Sequence, residues 1–76
     1  MNNKRRREIQ GIRQRISDAR DDVRCVMDDE QDSLDNMPEN LENSERYRAS
    51  EAAIDALDDA ISSLEDAIEE LDKSCE

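Results

Sequence analysis

Acidic side chains are the residues of this chain that first suggest chemistry. The 76 residues include 22 Asp and Glu against 11 Lys and Arg, no His, and a net charge of −11. The densest run is DDEQD at residues 28–32, and carboxylates are the ligands that Ca²⁺ and Mg²⁺ prefer. The run lacks the alternating ligands, central Gly and terminal Glu of a calcium loop. Within it only Glu30 is predicted to face inward, so we expect a solvated acidic face and no metal site.

No catalytic or cofactor motif accompanies these acids. The chain has no nucleophile–base pair, no Gly-rich phosphate loop and no cofactor signature. Its thiols, Cys25 and Cys75, lack the CxxC spacing and the His residues of a zinc site. In the hairpin predicted below they lie roughly 30 Å apart, which is too far for a disulfide. We therefore expect a non-enzymatic protein without cofactor or metal. Reduced thiols and the lack of a signal segment favour the cytoplasm.

A basic run, Lys4-Arg5-Arg6-Arg7, offers a second kind of chemistry because it could bind phosphate groups. Residues 1–24 carry eight basic and four acidic side chains. The alternative is that this run is neutralised by acids near the other end of the chain, namely Glu69, Glu70, Asp72 and Glu76. A nucleic-acid-binding protein keeps a net basic face, and this chain does not. We expect neutralisation, and no direct binding of nucleic acid.

The spacing of apolar residues predicts two helices that position these groups. Both seams alternate steps of three and four residues, as in a coiled coil. The first seam is predicted to contain Ile9, Ile12, Ile16, Ala19, Val23 and Val26. The second is predicted to contain Ile54, Leu57, Ile61, Leu64, Ile68, Leu71 and Cys75. Helix 1 is expected at about 5–35, a loop at about 36–43 and helix 2 at about 44–74.

The loop prediction rests on the only Pro and on a capping pair. Pro38 cannot continue helix 1 and disfavours a helical conformation at Met37. Asn43 or Ser44 can cap helix 2. Beyond Val26 the apolar residues of helix 1 no longer follow the same heptad. A four-residue stutter would keep the predicted seam continuous.

Charge predicts how the two helices pair. Beside the predicted seams, one ridge of helix 1 is basic and the corresponding ridge of helix 2 is acidic, so an antiparallel pair attracts. A fold about residues 39–40 joins the pairs Arg6–Asp72, Arg13–Glu65 and Arg20–Asp58. Exposed ion pairs contribute about 0–1 kcal/mol each, so they select register more than they stabilise. The predicted fold is an all-α, antiparallel two-helix hairpin.

Composition indicates that such a hairpin must associate with another chain to be stable. Only 34% of residues are hydrophobic and 1% aromatic, which excludes a compact β-domain, and no apolar run is long enough for a membrane span. One seam buries little against roughly 1.5 kcal/mol of entropy per ordered residue. A ridge of small residues, Ala53, Ala60 and Ala67, widens the apolar face of helix 2. We expect a homodimer that forms a four-helix bundle over this ridge, or completion by a partner. The alternative is that Ala serves helix propensity alone.

The acidity is concentrated in the second half of the chain. Residues 25–76 carry 18 acids and 3 basic residues, and residues 51–76 have a net charge of −9 over about 39 Å of helix. That is one charge per ~4 Å, against one per about 1.7 Å in duplex DNA. The acids expected on the outward faces are Asp55, Asp59, Asp66, Glu69 and Glu70. They could bind a basic partner, or they could serve only solubility.

Two segments resemble a family of small acidic helical proteins from bacteriophages and bacterial mobile elements. The first, residues 28–46, reads DDEQDSLDNMPENLENSER, and the second, residues 53–71, reads AIDALDDAISSLEDAIEEL. The DNMPE and SER elements are the most specific, and the resemblance covers Arg5 to Leu71. It implies a helical fold and a phage or mobile-element origin, but no activity and no site residues.

Three functional hypotheses follow. The leading one is a dimeric hairpin that binds and blocks a basic, nucleic-acid-handling surface of a host or defence protein through the outward acids. This follows by analogy with small acidic proteins of such genomes. The second is a structural or assembly module that acts through its apolar seam and Ala ridge. The third, direct nucleic-acid binding through residues 4–7, requires an affinity that falls steeply with salt.

Overall fold

The chain forms an antiparallel helical hairpin. The computed structural model describes residues 1–41 and 44–76. Helix α1 spans Asn3–Asp35, a short 3₁₀ turn spans Glu39–Leu41, and helix α2 spans Glu45–Ser74. The two helices pack side by side in a rod of 59 × 14 × 12 Å. The predicted all-α hairpin is confirmed, and the helix ends agree with the predicted ones to within two residues.

Local hydrogen bonds explain where the helices begin. The side chain of Asn2 accepts a hydrogen bond from the backbone N–H of Arg5 at 2.8 Å, which caps α1. The hydroxyl of Ser44 accepts one from the backbone N–H of Tyr47 at 3.1 Å, which caps α2. Ser44 is therefore the cap, and Asn43, the other predicted candidate, lies outside the described residues.

Helix α2 buries the seam that its sequence predicts. Ile61 and Ile68 are 5% and 7% exposed, and the other members of the seam are half-buried. The regular steps extend toward the loop through Tyr47 and Ser50, which are also half-buried. Every member of the predicted seam thus faces inward. They are Ile54, Leu57, Ile61, Leu64, Ile68, Leu71 and Cys75.

Helix α1 uses a different seam from the predicted one. Ile12 is 39% exposed, Val26 is 57% exposed, and Ala19 between them is also exposed. Their place is taken by Arg6, Arg13, Arg20, Met27 and Leu34, which are buried or half-buried. Alternating with these, the second row of the seam is Ile9, Ile16, Val23, Glu30 and Met37. The prediction that Ile12, Ala19 and Val26 lie in the seam is wrong.

The observed seam also removes the need for a stutter. The two rows keep steps of three and four residues without interruption from Arg6 to Met37. Because Met27 and Leu34 belong to the arginine row, an unbroken heptad brings both inward. The arginines can occupy the first three positions of that row because their methylene stems pack on apolar surface while their heads reach water. The predicted stutter after Val23 is therefore absent.

A polar contact within the seam shows how the helices are aligned. The hydroxyl of Ser50 donates a hydrogen bond to Glu30 Oε1 in the loop half of the hairpin. Both helices rise 1.5 Å per residue, so moving eleven residues from this pair places Ala19 at the level of Ile61, one residue after Ala60. The alignment agrees with a fold about the loop that contains Pro38.

Neither helix could span a membrane. Over residues 1–41 and 44–76, each combines its apolar residues with too many charged ones for a membrane-crossing segment.

Candidate interaction surfaces

The outward acids of α2 form the first surface, here called the outer acidic surface. It consists of Asp55, Asp59, Asp66, Glu69 and Glu70, all of which are exposed. Asp59 and Asp66 are seven residues apart, about 10.5 Å along the helix, and Asp55 lies one turn before Asp59. These three carboxylates have no ion pair or hydrogen bond with any described residue.

One lysine partly neutralises the end of this surface. Lys73 Nζ lies 3.8 Å from Glu69 Oε1 and 3.4 Å from Glu70 Oε1. The side chains of Glu69 and Glu70 remain 69% and 73% exposed, so water screens both pairs. Because Asp55, Asp59 and Asp66 lie on the same helix without such a neighbour, the middle of the outer acidic surface has the densest unpaired charge.

A second surface is defined by ion pairs between the helices. Arg13 Nε lies 2.6 Å from Asp72 Oδ1, and Arg24 Nη2 lies 3.0 Å from Glu65 Oε1. We call this the ion-paired side of the hairpin. A shallow groove on the same side, nearer the loop, is lined by residues that include Gln31 and Glu51.

These pairs correct the predicted pairing of charges. Arg13 contacts Asp72 and not Glu65, which instead binds Arg24. The prediction matched residues at the same level of the hairpin. In a helix, however, side chains lean toward the N-terminus of their own helix. In antiparallel helices the long cation and its acid therefore lean toward each other, and the arginine reaches about a heptad further along α2.

The other two predicted pairs do not form. Arg20 contacts Asp21 Oδ1 at 3.2 Å and the hydroxyl of Ser17 at 3.3 Å, both within α1, and not Asp58. Arg6 contributes a buried Nε that has no hydrogen-bond partner among the described residues, and it does not reach Asp72. Both arginines belong to the seam of α1 and not to a ridge beside it, so the basic ridge of the prediction is an inward row.

The basic run at the start of α1 makes no direct ion pair with the acids that were predicted to neutralise it, as far as the described residues go. None of the side chains of Lys4, Arg5, Arg6 and Arg7 forms an ion pair with a described residue. Of the four acids expected beside the run, Glu69 and Glu70 bind Lys73, and Asp72 binds Arg13. Consecutive residues of a helix point in directions 100° apart, so the four cations surround α1 and do not converge on one point.

The third surface is apolar and lies opposite the ion-paired side. We call it the apolar side, and it comprises Ile12, Ala19 and Val26 of α1 with Ala53, Ala60 and Ala67 of α2. Each member directly precedes a seam residue, whereas the paired Arg24 and Glu65 lie four residues after one, on the other flank. A groove lined by Ser33 and Arg46, the next members of the two rows toward the loop, confirms that the rows share a side.

The described residues contain no built metal site, and both cysteines are free. No group of three or more Cys, Asp or Glu side chains in residues 1–41 and 44–76 is arranged to hold a metal ion. Cys25 is a free, exposed thiol on α1, and Cys75 is a free, half-buried thiol at the end of α2.

Comparison of this chain with known proteins finds no similar protein. No protein-family model, curated protein or solved structure matches this chain.

Sequence reasoning missed two features of these surfaces. The first is the Glu30–Ser50 hydrogen bond, which joins polar residues inside a seam that is otherwise expected to be apolar. Its signal is that both residues continue the regular steps of their helices. The second is the exposed Ile12 and Val26, whose signal is that Met27 and Leu34 follow a different row of α1.

Proposed function

We propose that this chain is a non-enzymatic acidic hairpin that binds and blocks a basic, nucleic-acid-handling surface of another protein. The outer acidic surface is the binding face. The observation that carries the proposal is that Asp55, Asp59 and Asp66 are exposed on one rigid helix and lack partners among the described residues.

Charge spacing supports a nucleic-acid-like role for this face. Residues 51–76 carry one net negative charge per ~4 Å of helix, and two such helices in a dimer reach one per ~2 Å, close to the ~1.7 Å of duplex DNA. Rigid carboxylates spaced in this way fit a groove that is lined by Lys and Arg. Free carboxylates also require no internal ion pair to break before they bind.

The proposal includes a homodimer in the form of a four-helix bundle and a bacterial, phage or mobile-element setting in the cytoplasm. The bundle is supported by the shallow core, in which only Leu34, Ile61 and Ile68 are buried among the described residues. The setting is supported by the resemblance of residues 28–46 and 53–71 and by the two free thiols.

Charge reversal on α2, matched by charge reversal on α1, tests the proposal. The test variant is Asp55→Lys, Asp59→Lys and Asp66→Lys; the control is Asp18→Lys, Asp28→Lys and Asp32→Lys, which changes the net charge equally. The probe is a nuclease with a basic DNA-binding groove, assayed for its binding to labelled duplex DNA.

We expect the unmodified chain to displace DNA from the nuclease. The α2 variant should lose this competition at least tenfold because its contacts become repulsive, and the control should retain most of it. Circular dichroism should show equal helicity. Equal loss in both variants would mean that net charge alone acts, and retention by the α2 variant would contradict the proposed face.

A second candidate function is an assembly module, and a specific observation favours it. The apolar side exposes Ile12 and Val26 beside the alanine row of α2. In that case the apolar side, and not the outer acidic surface, is the functional face. The triple charge-reversal variant of α2 should then still assemble as the unmodified chain does.

A further inference from the structure

The apolar face of α1 is only half used by the hairpin. Ile9, Ile16 and Val23 are half-buried against α2, whereas Ile12 and Val26, one row further round the helix, are 39% and 57% exposed. The two rows form one continuous apolar strip because residues three and four apart are neighbours on a helix. Helix α2 therefore covers one edge of this strip and leaves the other edge open to solvent.

The open edge continues onto α2 across Ile16 and Val23, which lie nearer to it in the seam than the arginine row does. Ala53, Ala60 and Ala67 lie across the seam from Ile12, Ala19 and Val26, and small side chains allow another helix to approach closely. The hairpin is 59 Å long and about 14 Å wide. The six residues of the apolar side span about 21 Å of this length, so the contact must continue along the hairpin to reach the roughly 800 Å² that each partner contributes to a stable interface.

The apolar side is also symmetric about its centre. Ala19 lies within one residue of the level of Ala60, about 1.5 Å, as the Glu30–Ser50 contact sets the alignment. Ile12 and Val26 lie seven residues to either side of Ala19, and alanines lie seven residues to either side of Ala60. A twofold axis through this level, perpendicular to the helices, therefore brings Ile12 onto Val26 of another copy and each alanine row onto itself. Such self-matching is what an isologous interface requires.

The two charges nearest the centre of the strip fit the same axis, whereas Glu8 and Asp29, further out in the same row, would face each other as like charges. Arg15 and Asp22 border the strip of α1 on its outer edge, and neither has a partner among the described residues. They lie about four residues before and three residues after Ala19. The twofold axis consequently places each Arg15 next to Asp22 of the other copy, with one pair on each side of the axis.

We propose that the apolar side binds a second copy of this chain, antiparallel, with the two loops at opposite ends of a four-helix bundle. Ala19 and Ala60 lie at the twofold axis, Ile12 packs on Val26 of the second copy, and Arg15 pairs with its Asp22. The inference rests on the dimer of the proposed function and is independent of the acidic-surface partner. The dimer leaves Asp55, Asp59 and Asp66 exposed, whereas Glu70, three residues after Ala67, borders the interface.

Single cysteines distinguish this arrangement from the alternatives. In a Cys25→Ser, Cys75→Ser background, the Ala19→Cys variant should cross-link to itself under mild oxidation, because equal positions meet at the axis. The Ile12→Cys and Val26→Cys variants should each remain uncross-linked alone and should cross-link when mixed. Non-reducing electrophoresis of the full chain measures each product.

The alternative dimer gives a different pattern. With the loops at the same end, α1 lies over α2 of the second copy, and a mixture of the Ala19→Cys and Ala60→Cys variants cross-links in preference to either one alone. That pattern would overturn the proposal, as would failure of the Ala19→Cys variant to cross-link at all. Neither result would affect the test of the acidic surface, which uses DNA competition.

A charge swap provides a second readout that does not depend on cysteines. Arg15→Glu or Asp22→Arg alone should weaken dimerisation up to about tenfold, since two exposed pairs are lost per dimer. The double variant should restore it. Sedimentation at several concentrations measures the change, and additive weakening in the double variant would contradict the pairing.

Discussion

The two helices are nearly equal in length, 33 and 30 residues, but they use their apolar residues differently. Helix α2 places Ile and Leu at successive inward positions and turns only alanines toward the apolar side. Helix α1 places three arginines in its seam and turns Ile12 and Val26 outward. The large apolar residues of α2 thus pack within the hairpin. Those of α1 lie partly within the hairpin and partly on the apolar side.

Because of this difference, α2 mainly stabilises the hairpin, and the exposed apolar residues of α1 are available for association. The core of α2, with Ile61 and Ile68 buried, holds the hairpin together, whereas the exposed residues of α1 add little to the stability of a single hairpin. An apolar residue contributes mainly when it leaves water. The apolar residues of α1 that are exposed in the monomer are therefore the ones whose burial on association would lower the free energy.

The largest effect is expected when equal truncations are compared on the two helices. Ile61→Ala should lower the free energy of unfolding by about 2–4 kcal/mol because it removes buried methyl groups and leaves a cavity. Ile12→Ala should cost less than about 1 kcal/mol at concentrations where the chain is monomeric. Urea unfolding followed by circular dichroism measures both. Equal costs would show that Ile12 lies in the seam after all.

A seam arginine offers a change in the opposite direction. Arg20→Leu should raise the free energy of unfolding by about 1 kcal/mol, since an apolar side chain replaces a charged one that is only 25% exposed. Gln14→Leu, on the exposed face of α1, is the control and should change stability by less than about 0.5 kcal/mol. Thermal unfolding at one fixed concentration compares them, and destabilisation by Arg20→Leu would argue for a required charge.

The smallest effect concerns the ion-paired side. Removing the pair with Arg24→Gln and Glu65→Gln should show a coupling free energy of about 0–1 kcal/mol in a double-mutant cycle, because the two side chains are 48% and 46% exposed. The coupling should fall further in 0.5 M salt, where exposed charges are screened. A salt-independent coupling above 2 kcal/mol would contradict the assignment of these pairs to register selection.

The sequence predicts α2 well because its pattern admits one solution. Ile and Leu occur at every inward step from Ile54 to Leu71, so a single face of the helix is apolar. The end of α1 is equally clear, because Pro38 excludes further helix and Ser44 supplies a cap for α2. Chain folding near residues 39–40 follows from these two signals alone.

Helix α1 is harder to predict because its apolar strip is wider than one neighbour can cover. Ile9, Ile16 and Val23 belong to either of two seams, one completed by Ile12 and Val26, the other by arginines. The local spacing of apolar residues favours the seam with Ile12 and Val26. An unbroken heptad that brings Met27 and Leu34 inward, however, requires the seam with the arginines. The contacts of Arg13 and Arg24 also depend on side-chain lean, which heptad positions do not encode.

The most direct test of the apolar side as a dimer interface is the mass of the reduced, purified chain, measured by light scattering, with circular dichroism on the same sample. We expect a helical dimer of twice 8.8 kDa for the unmodified chain and for the Ala52→Glu variant, because Ala52 is exposed and lies outside the apolar side. We expect a helical monomer for the Ala53→Glu variant, because Ala53 belongs to the apolar side. A monomeric unmodified chain, or a dimer that tolerates Ala53→Glu, would contradict the assignment of the apolar side as the interface.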